Sequence, residues 1–397
     1  MTGRPALVGG DPLFPDGLRM FRPTLPPYEE VAPDVAELFE TGMLTAGPHA
    51  VEFERRLAEH LGVEHVVAVS SCTVGLVLAC QALELTGEAI VPSFTFMATV
   101  HPLAWNGVQP VFVDIDPATW NVDPVQVEKA ITKNTSGIVA VHLLGTPAAV
   151  EALEEIADRH GLKLLFDAAH GFGALHEGHP LGRHGDVEVF SATPTKVLSA
   201  VEGGIVATND AEIARRVRVA RNYGNPGDYG SEVPGLNARM PEFNALVGMK
   251  SLEMLERNVL RRQEIAATYK ARIGALPGIT FQRIDEGDRS SFKEFSLLVD
   301  EAGFGMDRAT LARALAAEGI DSRFYYDPPV HRHDAYRDVV DAAAVDLPVT
   351  DAVARSTITI PIYSHMDDET VDRVCTAVER AHAHCGDVRA RAEALPS

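Results

Sequence analysis

The chain has few cysteines, and no apolar stretch in it is long enough to span a bilayer. Its 397 residues include only Cys72, Cys80, Cys375 and Cys385. These positions are scattered and lack the paired spacing of metal ligands, so we expect no metal site, no disulfide framework and a reducing, cytoplasmic compartment. The N-terminus leads into Gly and Pro residues rather than an apolar core. We therefore expect neither a membrane span nor a signal peptide.

Basic residues are also scarce relative to acidic ones. Against 35 Lys and Arg stand 56 Asp and Glu, which gives a formal net charge of −21 at pH 7. A nucleic-acid surface needs clustered Lys and Arg, so this balance argues against a nucleic-acid partner but leaves room for a local basic pocket. The chain is 46% hydrophobic and 23% charged. That composition is typical of a soluble globular protein, and the length suffices for two domains.

One lysine, Lys196, stands between two short apolar segments. Residues 187–190 are predicted to form a buried strand, and residues 205–208 form another after Gly203 and Gly204. A lysine held between buried strands is expected to have a lowered pKa, which favours Schiff-base chemistry. Because lysine is seldom buried, the same pattern also fits a surface loop.

A second apolar segment, residues 164–166, ends in Asp167 and is soon followed by His170. In open α/β sheets, ligands bind at the C-terminal ends of the strands. A carboxylate there can pair with a protonated ring nitrogen, as the pyridinium of pyridoxal 5′-phosphate (PLP) requires, although it can also cap a helix. Asp167 and Lys196 together, each at a strand end, favour the cofactor.

Two further segments follow predicted strands. Residues 70–73 (Ser-Ser-Cys-Thr) lie between the strand at 66–69 and an apolar helix. That arrangement offers backbone N–H groups and the helix dipole to a phosphate, or it is a simple N-cap. Phe96 comes shortly after the strand at 89–92. Its ring could stack on a pyridine ring or belong to the core.

Strands that alternate with helices predict an α/β fold with a mostly parallel sheet and helices on both faces. We expect an N-terminal arm (1–33) carrying Arg4, Arg19 and Arg22, a large domain (34–250), and a connecting helix with a smaller C-terminal α/β domain (251–397). One long helix is predicted over 241–274. The small domain is predicted to contain strands at 292–299, 321–326 and 356–361 and helices at 307–318 and 367–384.

Several motifs, in order along the chain, resemble the DegT/DnrJ/EryC1/StrS family of PLP-dependent aminotransferases, which aminate keto-sugars and related cyclic ketones. The motifs are Ser71-Cys-Thr73, Pro92-Ser-Phe-Thr-Phe96, Pro110-Val-Phe-Val-Asp114, Phe166-Asp-Ala-Ala-His-Gly-Phe-Gly-Ala174, Phe190-Ser-Ala-Thr-Pro-Thr-Lys196, Glu202-Gly-Gly204 and Gly235-Leu-Asn-Ala-Arg-Met240. The resemblance implies the aspartate aminotransferase-like fold type I, with PLP as cofactor.

The resemblance also implies roles for residues around the ring of PLP. Lys196 holds the cofactor as a Schiff base and then acts as general base and acid. Asp167 keeps the pyridine nitrogen protonated, and His170 hydrogen-bonds the 3′-oxygen. Phe96 stacks on the ring.

Other residues are assigned by the resemblance to the phosphate of PLP. They are the Ser191 hydroxyl and the backbone amides of Cys72 and Thr73. Asn237 is implied to reach the phosphate of the other subunit, in a homodimer with shared active sites. From the sequence alone, Asn237 is a turn or helix-start residue.

The implied reaction is a ping-pong transamination that converts a nucleotide-linked 4-keto or 3-keto deoxyhexose to an amino sugar, in antibiotic or surface-glycan synthesis. Glutamate is the donor that the resemblance implies. Lys196 argues against the family members that have histidine there and catalyse deoxygenation. An inosose aminotransferase or an aminohydroxybenzoate synthase would use the same residues. A non-catalytic PLP-binding regulator is disfavoured by the acidic charge and the lack of a helix-turn-helix extension.

Overall fold

The computed structural model describes residues 3–228, 230–337 and 345–394. Its strands are β1 (His65–Val69), β2 (Glu88–Pro92), β3 (Gln109–Val113), β4 (Thr135–Val141), β5 (Lys163–Asp167), β6 (Leu175–His176), β7 (His179–Pro180), β8 (Val187–Ser191), β9 (Gly204–Thr208), β10 (Ile279–Phe281), β11 (Phe295–Val299) and β12 (Thr357–Ile360). Its helices are α1 (Tyr28–Thr41), α2 (Pro48–Leu61), α3 (Cys72–Ala82), α4 (His101–Trp105), α5 (Pro124–Ala130), α6 (Val150–His160), α7 (Ala211–Ala220), α8 (Glu242–Glu253), α9 (Leu255–Ile273), α10 (Glu301–Phe304), α11 (Arg308–Ala317), α12 (Pro348–Ser356), α13 (Asp368–Ala383) and α14 (Cys385–Glu393).

A seven-stranded sheet organises the first part of the chain, in the order β1-β9-β8-β5-β4-β2-β3. Strand β9 is antiparallel to both of its neighbours. The remaining neighbours pair in parallel. The predicted mostly parallel α/β sheet is therefore confirmed, and the C-terminal ends of β1, β2, β5 and β8 all meet at one edge.

Helices cover both faces of this sheet because alternate strand residues point to opposite sides. In β1, Val67 packs in one core cluster with Leu76 of α3. Its neighbour Val66 packs in another cluster with Phe53 of α2. The strands are buried on both faces, which explains why they are nearly continuous apolar runs.

Two glycines let α3 lie directly against the sheet. A Cβ at Gly75 would lie 2.9 Å from Val189 Cγ1, so α3 packs onto β8 without an intervening side chain. A Cβ at Gly204 would lie 2.4 Å from the carbonyl carbon of Ser71. The start of β9 therefore passes against the N-terminus of α3, which fixes that helix end at the edge where the strands terminate.

A smaller antiparallel sheet, β10-β11-β12, follows. The predicted strand at 321–326 is wrong, because Arg323 makes only an isolated bridge with Thr359. The segment then turns away from β12, since the Asp327 N–H donates to the Phe324 carbonyl. The predicted strand at 292–299 begins later, at Phe295.

The predicted helix over 241–274 is two helices, α8 and α9, separated at Met254. The Met254 N–H donates to the Ser251 carbonyl three residues back, so the last turn of α8 tightens.

None of the helices in the described part of the chain combines the length and the apolar character that a membrane span requires. The division into an arm (1–33), a large domain (34–250) and a C-terminal domain (251–397) stays a prediction.

Candidate active site

A cavity of about 370 Å³ lies where the strands end and α3 begins. The seven predicted site residues that line it are Lys196, Asp167, His170, Ser191, Cys72, Thr73 and Phe96. The eighth, Asn237, is exposed and does not line it. The structure therefore brings seven of the eight residues together at the edge where the strands end, and their assignment to a cofactor stays a prediction.

Lys196 is carried by a closed loop between β8 and β9. The Ala192 N–H donates to the Gly203 carbonyl at 2.9 Å, and the Ala200 N–H donates back to the Ala192 carbonyl at 2.8 Å. Within this loop, the Lys196 N–H donates to the Thr193 carbonyl at 3.0 Å. The backbone that holds the amine is thus tied at both ends to the two strands.

The environment of the Lys196 amine lowers its pKa to about 7. Burial is the largest cause, and the positive charge of Lys293 is the next. Glu294 and Asp167 act in the opposite direction without cancelling these effects. A large fraction of Lys196 is therefore unprotonated near neutral pH, as a nucleophile or general base requires.

Asp167 is a buried carboxylate held by two neutral donors. The Thr99 Oγ1 hydroxyl donates to Oδ2 at 2.6 Å, and the Ala169 N–H donates to Oδ1 at 2.9 Å. Burial raises the pKa of Asp167, and these hydrogen bonds and the Lys196 charge lower it in part. Within the described residues, Asp167 forms no ion pair. A cationic group in the cavity would therefore stabilise this carboxylate.

The N-terminus of α3 forms another wall of the cavity. Ser71 caps the helix, and its hydroxyl accepts from the Val74 N–H at 3.3 Å. Cys72 and Thr73 occupy the first two helical positions, where backbone N–H groups have no acceptor within the helix. Ser191 also lines the cavity, and its side chain carries a hydroxyl donor. These donors and the positive end of the helix dipole make this wall suitable for an anion.

The thiol of Cys72 is not poised for chemistry. Burial raises its pKa well above the ordinary value, and the Asp167 charge raises it further. Because the thiolate is the reactive form, this thiol is inert. Cys72 thus contributes its backbone rather than a reactive thiol to the cavity wall.

Two ring side chains, Phe96 and His170, face the cavity with different properties. Phe96 is 52% exposed, so it is not a core residue, and its ring lies 6.5 Å from that of Tyr326. Burial and the charges of Lys196 and Lys293 lower the pKa of His170 well below its ordinary value. His170 is therefore neutral at physiological pH and carries one donor and one acceptor nitrogen.

Five further residues of the site were not predicted from the sequence. Lys293, Glu294, Tyr325 and Tyr326 line the cavity, and Thr99 holds Asp167. Lys293 and Glu294 form a buried ion pair in which each side chain is 5% exposed. The sequence offers one signal for this pair: two adjacent side chains of opposite charge precede the apolar segment 295–299. Charged side chains are rarely buried unless they are paired.

The residues assigned to PLP by the resemblance fit that group on two structural observations. Asp167 is a buried carboxylate with no cationic partner among the described residues, which suits a protonated ring nitrogen. The first-turn N–H groups of α3 face the same cavity and suit a phosphate. Lys196 supplies an amine of lowered pKa beside them.

The chain is similar to known aminotransferases over most of its length. The model of the DegT/DnrJ/EryC1/StrS aminotransferase family matches residues 28–379. The dTDP-4-amino-4,6-dideoxy-D-glucose transaminase of Escherichia coli is 34% identical over 355 residues, covering 89% of this chain and 95% of that protein. The dTDP-3-amino-3,4,6-trideoxy-alpha-D-glucose transaminase of Streptomyces venezuelae is 34% identical over 358 residues, covering 88% and 93%. The crystal structure of DesI in the presence of its TDP-sugar product is similar, with a TM-score of 0.92, 37% identity and 98% of each chain covered.

Proposed function

Because this chain belongs to the DegT/DnrJ/EryC1/StrS aminotransferase family, we propose that it transfers an amino group to a nucleotide-linked 4-keto or 3-keto deoxyhexose. Glutamate is the proposed donor. The observation that carries the proposal is the convergence of Lys196 and Asp167 on one cavity beside the N-terminus of α3. The names of the similar transaminases, which act on dTDP-linked amino sugars, support the substrate class.

Four groups of this chain are proposed to hold PLP. The backbone amides of Cys72 and Thr73 and the Ser191 hydroxyl bind its phosphate, since a helix N-terminus favours an anion. Asp167 binds the ring nitrogen, and burial makes that pairing stronger than it would be in water.

Two ring side chains complete the proposed binding site. Phe96 stacks on the face of the PLP ring, which its 52% exposure permits. Neutral His170 donates a hydrogen bond to the 3′-oxygen.

Lys196 is the proposed acid–base group in both half-reactions. When bound, PLP supplies a ring that accepts the electron pair of the C–H bond broken at the carbon bearing the amino group. Lys196 Nζ, whose pKa lies at about 7, would take up the proton from that carbon and deliver it to C4′ of PLP, and would move a proton in the opposite direction when the ketone is aminated. Asp167, with its carboxylate fixed by Thr99 and Ala169, keeps the ring nitrogen protonated throughout.

The substrate class can be tested with three ketones. Glutamate first converts the bound cofactor to its amino form, and the keto acid product is removed. The protein is then mixed with a TDP-linked 4-keto-6-deoxyhexose, its 3-keto isomer or an inosose. We expect kcat/KM to be at least about 100-fold higher for one TDP-linked ketone than for the inosose, because the inosose forgoes the binding energy of the nucleotide. Product mass and the return of the cofactor spectrum measure the transfer, and amination of the inosose alone would contradict the proposal.

Asn237 is proposed to act across a homodimer, because it is exposed and lies outside the cavity of its own chain. We expect Asn237→Ala to raise the Kd of PLP by about 10-fold, the loss of one hydrogen bond to a charged group. Equilibrium titration of the cofactor measures the change. Asn134→Ala, at an exposed position before β4, is the control and should leave the Kd unaltered.

Mixed dimers test the cross-subunit contact directly. A dimer that joins a Lys196→Ala subunit to an Asn237→Ala subunit keeps Lys196 and an intact Asn237 on opposite chains. If Asn237 acts across the dimer, the competent site of this mixture retains wild-type affinity for PLP. Weakened affinity there would mean that Asn237 acts within its own chain.

A further inference from the structure

We propose that Lys293 binds the α-carboxylate of the amino donor and so determines that the donor is an amino acid. The inference rests on the proposed function, because it concerns the first half-reaction of the same cavity. It assigns a role to an ion pair that no motif of the sequence indicates.

Besides Lys196, Lys293 is the cationic side chain among the described residues that line the cavity, and the proposed mechanism gives it no contact with a substrate. Of the described lining residues, Lys196 and Lys293 are the lysines, and none is an arginine. Asp167, Glu202 and Glu294 supply negative charge. An amino acid brings a further carboxylate, which needs a positively charged contact inside the cavity.

Hydrogen bonds on two sides fix the backbone around Lys293. The Ser291 N–H donates to the Gly145 carbonyl at 2.9 Å, and the Ser291 hydroxyl donates to the His170 carbonyl at 2.7 Å. The buried guanidinium of Arg262 donates to the Lys293 carbonyl at 3.3 Å. The segment is therefore fixed to the loop after β5 on one side and to α9 on the other, which preorganises the ammonium group.

The depth of Lys293 favours the donor carboxylate over the diphosphate of a nucleotide sugar. The α-carboxylate is bonded to the carbon that reacts at Lys196, so it must lie in the interior of the cavity. Lys293 is 5% exposed, and its charge is the second cause of the lowered pKa of Lys196. A sugar diphosphate is attached several bonds from the ketone carbon and does not need to reach this depth.

The ion pair with Glu294 explains how one cavity accepts both substrates. An ammonium group has three N–H donors, so Lys293 can bind Glu294 and a donor carboxylate at the same time. When the keto-sugar occupies the cavity instead, Glu294 neutralises Lys293 and no buried charge is left unpaired. The pair thus serves an anionic substrate in one half-reaction and an uncharged ring in the other.

Lys293→Met tests the proposal because it removes the charge at nearly constant length. We expect kcat/KM for glutamate and for alanine to fall by about 10- to 100-fold, the loss of a charge-assisted hydrogen bond. Lys293→Met also removes the charge that helps to lower the pKa of Lys196 and leaves Glu294 unpaired, and both effects act on every substrate. Isopropylamine, which has no carboxylate, measures these shared effects, and we expect glutamate and alanine to lose at least about 10-fold more than isopropylamine does. The keto-sugar half-reaction should change by about as much as the isopropylamine reaction. Single-turnover spectra follow each half-reaction separately.

Binding of glutarate provides a readout that does not depend on turnover. Calorimetry of the PLP-loaded proteins should give at least about 10-fold weaker glutarate binding for Lys293→Met than for the wild type. Lys293→Arg should recover most of the glutarate affinity, because it restores the charge. Lys163→Met is the matched control: that lysine is half exposed at the opposite end of β5 and should have no effect.

Three results would overturn the proposal. Unchanged glutarate affinity, equal losses with glutamate and isopropylamine, or a loss confined to the keto-sugar half-reaction would each do so. If Lys293→Met does not fold, Lys293→Gln is measured instead, with the same criteria. The donor half-reaction needs no keto-sugar, so failure of this proposal can be distinguished from failure of the proposed keto-sugar substrate.

Discussion

Replacement of Lys196 by alanine is expected to abolish transamination, with a loss of at least about 10⁴-fold, the upper end of what a positioned acid–base group contributes. No other lining residue replaces this amine. Lys293 is paired with Glu294, and burial keeps His170 neutral. The variant should also lose the borohydride-reducible bond between protein and cofactor, which intact mass measures directly.

The fold of this variant should be preserved, which makes the loss of activity interpretable. Burial lowers the pKa of Lys196 to about 7, so the folded state disfavours the charged lysine relative to the unfolded chain. Alanine removes that unfavourable term, and we expect the thermal midpoint of the cofactor-free protein to fall by no more than a few degrees. Methylamine added to the variant should restore part of the proton transfer. Activity retained without methylamine would exclude Lys196 as the acid–base group.

The residues of the cavity that the sequence predicts share one local signature. Asp167 ends a buried strand, and Lys196 and Thr73 come a few residues after two others. Parallel strands bring their C-terminal ends to one edge, so a pattern that is local in sequence predicts proximity in space. Asp167 and Lys196 could therefore be placed together without knowledge of any long-range contact.

The missed residues depend on contacts between distant parts of the chain. Lys293 reaches the cavity because Ser291 bonds the carbonyl of His170, far away in the sequence. Thr99 is the partner of Asp167 across 68 positions. Neither contact has a periodicity or a motif that the sequence alone could reveal, since each follows from how the chain packs.

The two errors in secondary structure have related causes. Residues 321–326 have strand-like composition, but the segment leaves the edge of β12 after one bridge at Arg323. The pattern of residues 241–274 is helical throughout, but the helix is interrupted at Met254, and the next residue, Leu255, is buried in the core. In both places tertiary packing overrides a local preference.

Replacement of Asp167 by asparagine is expected to slow proton abstraction from the donor by about 10²- to 10³-fold while the protein still folds and binds PLP. The amide keeps the shape of the carboxylate but cannot hold a proton on the ring nitrogen, so the ring becomes a weaker acceptor of electrons. Stopped-flow spectra of the glutamate half-reaction give the rate. Glutamate deuterated at the α-carbon should show a larger isotope effect than with the wild type, because proton transfer becomes more fully rate-limiting.

The surroundings of Asp167 can accept the amide, which separates the chemical effect from a folding defect. Thr99 Oγ1 donates to Oδ2 and also lies 2.8 Å from Thr95 Oγ1, so this hydroxyl chain can reverse and accept from an amide N–H. Burial raises the pKa of Asp167, so the charged carboxylate costs folding free energy near neutral pH and its neutral replacement removes no stabilisation. Thr99→Val is the companion variant: it keeps the carboxylate, and we expect less than about a 10-fold loss from the missing hydrogen bond. A normal rate of proton abstraction in Asp167→Asn would exclude the carboxylate as the partner of the ring nitrogen, whereas equal losses in the two variants would assign the effect to positioning rather than to charge.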